Sequence, residues 1–196
     1  MGDAGSVSRG YKVRAVERSL GQPFVPDDFQ VPERFEARGL VIRGLTVHDA
    51  VKDYDAVMMS AEHLQALWPA ESWPEGLTLE QNLIDLAWHQ KEFQTRRSFA
   101  YTVLLVDSPE VIGCVYIYPT YKADFDAEVH LWVRASRLAE GLEDRLYEVV
   151  TDWLAEDWPF ARPAFPGRDP AWATWWTLPE KSLARWAYSG DSDEPE

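Results

Sequence analysis

The stretch AEVHLWVR, residues 127 to 134, holds the side chains best placed to do chemistry. Its alternation reads as a β-strand, whose period of two sets Glu128, His130, Trp132 and Arg134 on one face and Val129, Leu131 and Val133 on the other. A carboxylate and an imidazole on one face, two residues apart, can share a proton, and the carboxylate also orients the ring. Either group could then act as a base toward a nucleophile. The alternative is an ordinary polar pair on a partly solvated strand. The remaining histidines, His48, His63 and His89, fall on expected helices or caps without metal-ligand spacing, so no metal is expected.

A chain of 196 residues with 46% hydrophobic residues and ten tryptophans can build one domain around a sizeable core. Its formal net charge of −14 repels phosphate backbones and anionic headgroups, and Lys and Arg form no patch. No nucleic-acid or membrane partner is therefore expected, and the field favours a cationic small molecule or a basic protein. The single cysteine, Cys114, lies in VIGCVYIY, which reads as a buried strand. Burial raises a thiol's pKa and makes it a poor nucleophile, and one cysteine gives no disulfide framework. The first 21 residues contain no apolar segment like that of a secretory signal, and no later apolar run is long enough to span a bilayer. A cytoplasmic protein is expected.

The elements that must hold the strand follow from periodicity and punctuation. Residues 1–33 read as an N-terminal extension, mobile over the first twenty and then a proline-punctuated arm on the globular body. LVIRGL gives a first strand, and AVKDYDAVMMSAEHLQAL has helical spacing up to Trp68-Pro69. Thr78 and Gln81 form a capping box for a helix running to about Arg97. FAYTVLLVD and VIGCVYIYP, joined through Ser108-Pro109-Glu110, read as an antiparallel hairpin that AEVHLWVR follows. GLEDRLYEVVTDWL places Leu142, Leu146, Val149, Val150 and Trp153 on one helical face. FARPAFP reads as an edge strand interrupted by proline, and WATWWTL and LARWAYS as two more strands, with short helices as the alternative. The order predicts an α+β domain over residues 34–189 with one mixed sheet, followed by an acidic tail at 190–196.

Three stretches together, RFEARGLVIRGLTVHDA, AYTVLLVDSPEVIGCVYIYP and AEVHLWVR, resemble the GCN5-related N-acetyltransferase superfamily, in the branch of the ribosomal-protein acetyltransferases. The resemblance covers roughly residues 34–166. It implies a mostly antiparallel sheet flanked by helices and splayed next to strand 127–134, where the arm of an acyl-CoA pairs with strand backbone. It further implies acetyl-CoA, or another acyl-CoA, as co-substrate and an amine of a small molecule or protein as acceptor. Glu128 would be the base, with His130 assisting. Backbone at Trp132, Val133 and Arg134 would align the thioester, and Gly141 with Leu142 would support the pyrophosphate at a helix start. The family's usual tyrosine donor, on a helix after the fifth strand, has no counterpart in GRDPAWATWW, which leaves Tyr118 as a substitute.

The phosphate loop departs from the family pattern. Of Leu138, Ala139, Glu140, Gly141, Leu142 and Glu143, only Gly141 matches. Glu140, Glu143 and Asp144 suit a helix that stabilises its own N-terminal dipole, in the role a pyrophosphate would otherwise fill. Two readings follow. In one, Arg134 and Arg137 fold over the phosphates and offset the carboxylates. In the other, coenzyme A binding is lost and the domain is an inactive scaffold that binds through its Trp-rich end. That end, with Trp172, Trp175, Trp176 and Trp186, could also be core, an acceptor pocket or a homodimer contact.

Overall fold

A computed structural model of the chain describes residues 24–181, so the expectations for the first twenty residues, for LARWAYS and for the acidic tail lie outside the described residues. Among the described residues six strands form one sheet in sequential order: β1 Arg34–Ala37, β2 Leu40–Gly44, β3 Phe99–Leu105, β4 Val111–Pro119, β5 Ala127–Val133 and β6 Pro163–Ala164. Neighbours are antiparallel up to β5, and β6 alone runs parallel to its partner. The sheet is thus mixed and mostly antiparallel, as the α+β reading requires.

β1 was not separately expected. Its sequence RFEA alternates charged with apolar residues, as suits an edge strand, and it returns into β2 through Arg38 and Gly39. Both turn residues have positive φ, 48° and 80°, the geometry that a two-residue hairpin loop needs to match strand twist. Arg38 accepts this conformation while its guanidinium bonds Glu148 and Asp152.

The segment expected as one helix is two, α1 Ala50–Met58 and α2 Ala61–Leu67. The break lies at Ser60, whose hydroxyl donates to the Ala56 carbonyl at 2.7 Å and accepts the Ala135 N–H at 3.0 Å. A serine bonding back to residue i−4 already bends a helix, and the contact from 75 residues away completes the interruption. Helix α3, Leu79–Gln94, starts as read, with Thr78 Oγ1 accepting the Gln81 N–H at 3.1 Å, although the Gln81 side chain turns to Asp85. It stops short of Arg97, because the chain enters the left-handed region at Arg96.

Helix α4, Leu142–Asp157, buries all five residues of its expected apolar face. They pack with Val129, Leu131 and Val133 in the larger core, together with Ile42, Tyr101 and Ile117. On the opposite face of the sheet, helices α1–α3 contribute Ala56, Val57, Leu64 and Leu86 to a second core that includes Cys114 and Trp132. Each large aliphatic side chain removed from water stabilises by roughly 1.5–3 kcal/mol, so both faces of β5 are anchored. Phe24, Val25 and Phe29 join the larger core beside Phe99 and Trp158. Among the described residues no helix is long and apolar enough to cross a membrane.

WATWWTL is not a strand. It holds a short helix, α5 Trp172–Trp175, begun after Pro170 with Trp175 N–H bonded to the Ala171 carbonyl. Helical spacing stacks Trp172 on Trp176 at 5.3 Å and buries Trp175 against Tyr121 and Phe125.

Candidate active site

β6 pairs with only Ala127 and Glu128. After Ala164 the chain doubles back, with Phe165 N–H bonded to the Asp169 carbonyl, so the sheet splays beside β5. Gly167 permits this turn: its φ is +92°, and an added Cβ would lie 2.5 Å from the Trp172 indole nitrogen. The Val133 N–H points into the gap, and alternation along the strand aims the backbone of Val129 and Leu131 the same way. A cavity of about 110 Å³ lies there, walled by the end of α2 through Trp68, by Val129 to Leu131, and by Phe165 to Arg168 with Trp172.

At the closed end of the gap sit Glu128 and His130, 4% and 7% exposed, so the picture of a partly solvated strand does not apply. The faces read from the period of two are both covered, because helices pack on each side. His130 Nε2 lies 2.9 Å from Glu128 Oε1, and the Trp68 indole N–H donates to His130 Nδ1 at 3.2 Å. An indole can only donate, so Nδ1 accepts, and the ring proton sits on Nε2 and is given to Glu128. The two contacts thereby fix the ring's orientation and its tautomer. Thr120 Oγ1 donates to the other oxygen of Glu128 at 3.4 Å. Tyr118 stands opposite Glu128 in the β4 register, its ring 6.2 Å from that of His130. Burial, with the nearby charges of Glu71 and Glu128, pushes its hydroxyl well above the ordinary range, so it stays protonated. Burial likewise pushes the Cys114 thiol up, in keeping with an inert cysteine.

The other end is arranged differently. Trp132 is fully buried in the second core and reaches the gap with neither its ring nor, by alternation, its N–H. Arg134 has left the strand, and its guanidinium bonds Asp55 at 2.8 Å and approaches Glu110 at 3.6 Å. Arg137 pairs with Glu110 at 2.7 Å and Glu140 at 2.9 Å. Both arginines read as phosphate ligands are thus tied to carboxylates. Ala135–Glu140 form a 3₁₀ turn, after which Gly141, at φ +68°, starts α4 without a side-chain cap. The Leu142 side chain is buried in the larger core.

Glu143 occupies the gap. One of its oxygens accepts the Val133 N–H at 3.3 Å and the His63 Nε2–H at 2.6 Å, and the other accepts from Arg168 at 2.5 Å. Burial alone would raise this carboxyl, but bonds and charge from His63 and Arg168 hold it below its ordinary range. The acidic helix start therefore does more than complement a dipole. His63, Trp68, Arg168 and Trp172 carry no signal of this role in the sequence, because each arrives from a distant element. Among the described residues no group of three or more His, Cys, Asp or Glu side chains is placed to hold a metal ion.

No protein-family model and no curated protein matches the sequence. Among solved structures, the chain is similar to the ribosomal-protein-S5-alanine acetyltransferase of Vibrio fischeri, at 20% identity and a TM-score of 0.55 over 79% of this chain and 81% of that one. It is also similar to a protein from Vibrio cholerae assigned as a ribosomal-protein-serine acetyltransferase, at 14% identity and a TM-score of 0.56 over 76% and 80% of the two chains. At such identities the likeness establishes the fold alone, and together with the splayed strand it shows that this chain has the α+β fold of these acetyltransferases.

Proposed function

We propose that the chain is an acyl-CoA-dependent N-acyltransferase that moves an acetyl group onto an amine. The observation that carries this reading is the buried Glu128–His130 pair at the closed end of a gap whose strand edge offers backbone to a donor. The similar solved structures, named as acetyltransferases of ribosomal proteins, support the reaction class and favour a protein amine as acceptor.

At neutral pH a primary amine is mostly ammonium and cannot attack a thioester. Glu128 takes the proton, directly or through a water. The amine nitrogen then attacks the thioester carbonyl, the C–N bond forms, the C–S bond breaks, the nitrogen gives up its second proton and the leaving thiolate takes up a proton. Tyr118, kept protonated by burial, supplies the thiolate's proton and is restored by the one the nitrogen gives up. His130, steadied by Trp68, orients the carboxylate rather than acting as a second base. Backbone at Leu131 and Val133, within the stretch ending at Arg134, aligns the donor, and the first turn at Gly141 and Leu142 supports its phosphates. The exposed Trp176, stacked on Trp172, is the face through which a second copy would pair.

The test is release of coenzyme A from acetyl-CoA in the presence of short peptides with free N-termini and of small amines, with acylated product read by mass. Saturable transfer that Glu128→Gln abolishes is expected. A second reading, an inactive scaffold, is favoured by Glu143 on the Val133 N–H, where a donor would bind. Failure of coenzyme A to bind either the natural chain or a Glu143 variant would decide for the scaffold.

A further inference from the structure

The gap beside β5 is bridged by a contact between its two sides. Donors from three elements converge on the Glu143 carboxylate: the Val133 N–H on β5, the His63 imidazole on α2 and the Arg168 guanidinium on the turn after β6. The side chains of Glu143, His63 and Arg168 are only 15%, 17% and 24% exposed. Arg168 also lies over the Tyr147 ring at 5.4 Å, stands 4.0 Å from Asp144 and forms part of the cavity wall beside His130. It therefore links α4 to the segment that continues β6, across the opening through which a long donor would extend. The carboxylate meets the strand backbone where a ligand would.

We propose that Glu143 is an internal ligand that keeps the cleft shut, and that an anionic donor opens it by taking Arg168 and His63 away from Glu143. Only the identity of the donor rests on the acyltransferase reading; the gate stands on the contacts. A phosphate presents more charge and more acceptor oxygens to a guanidinium than a carboxylate does, so it competes well for Arg168. The displaced Glu143 needs only to swing toward water, where its neighbour Asp144 is already 90% exposed, and it remains in the first turn of α4, where negative charge is favourable. Because the open form is a minor one, the apparent affinity of the natural chain is lowered by the fraction open. The gate also selects a donor class: thioesters without phosphates have nothing to offer Arg168 and are excluded.

Calorimetric titration of the full chain with inorganic pyrophosphate and with coenzyme A tests this, in the natural protein, Glu143→Gln and the double variant Glu143→Gln/Arg168→Met, each checked for folding by near-ultraviolet circular dichroism. Glutamine keeps the size and loses the charge. We expect Glu143→Gln to bind both probes about tenfold or more tighter, and the added Arg168→Met to remove that gain. Equal affinity of the natural protein and Glu143→Gln for pyrophosphate, or a gain that survives Arg168→Met, overturns the gate. A pyrophosphate gain with no coenzyme A binding in any variant supports the gate and overturns the acyltransferase reading. Coenzyme A bound equally by the natural protein and Glu143→Gln does the reverse. Should Glu143→Gln not fold, Glu143→Asp, which keeps the charge but is too short to span the contacts, is expected to gain affinity in the same direction, and no gain overturns the gate.

Discussion

The two ends of the free edge of β5 use the same pair of side chains to opposite effect. At the closed end Glu128 meets His130 at 2.9 Å, and at the open end Glu143 meets His63 at 2.6 Å. What differs is the added partner. Trp68 gives His130 a neutral N–H, which sets the tautomer and adds no charge, whereas Arg168 gives Glu143 a cation. A carboxylate held by a guanidinium is stabilised in its charged form and makes a poor base. The third group decides whether a Glu–His pair is chemistry or a clasp.

Four measurements test whether the two Glu–His pairs differ in this way. Glu128→Gln should lower kcat for acetyl transfer by about 10²–10⁴-fold, the usual worth of a positioned base, while coenzyme A affinity holds; a loss below about tenfold would remove its role as base. Glu143→Gln should show the opposite pattern in the same assay, with KM for acetyl-CoA falling about tenfold and kcat little changed, since the clasp acts on binding and not on the reacting atoms. Trp68→Phe should cost kcat several-fold with KM for acetyl-CoA unchanged, because the His130 ring then loses the bond that orients it toward Glu128. An unchanged kcat would show that Trp68 does not hold the ring.

The smallest effect concerns stability. Glu143 has its carboxyl held below the ordinary range in the folded chain, so its contribution is present above the unfolded value, near 4.5, and is lost as pH falls through the lower folded value. The Tm of the natural protein should drop faster than that of Glu143→Gln as pH is lowered from about 6 to about 3, by a few degrees at most, since about 1 kcal/mol moves a domain of this size by about 2–4 °C. Parallel Tm curves would mean that the clasp adds nothing to folding.

Much of the frame was legible in the chain. The β3–β4 hairpin, the strand 127–133 and the apolar face of α4 follow from alternation and helical spacing, which are local properties. Thr78 announced the start of α3 for the same reason. The misses share another cause. Ser60 splits an otherwise regular helix because of Ala135, and the tryptophans of α5 turn helical where Trp175 can be buried, so tertiary contacts overrode local preference. Arg134 and Arg137 stood close to the expected phosphate loop in sequence, yet Asp55 and Glu110 lie closer to them in space.

The pairing of Glu128 with His130 is local, since the pleat of one strand brings residues i and i+2 to the same face whatever surrounds them. The state of the cleft, by contrast, follows only from contacts between distant elements. His63 and Arg168 lie 80 and 25 residues from Glu143, and no local periodicity records such distances. They meet because the sheet splays after two residues of β6, and the strand edge left there needs a partner for its backbone, which Glu143 supplies.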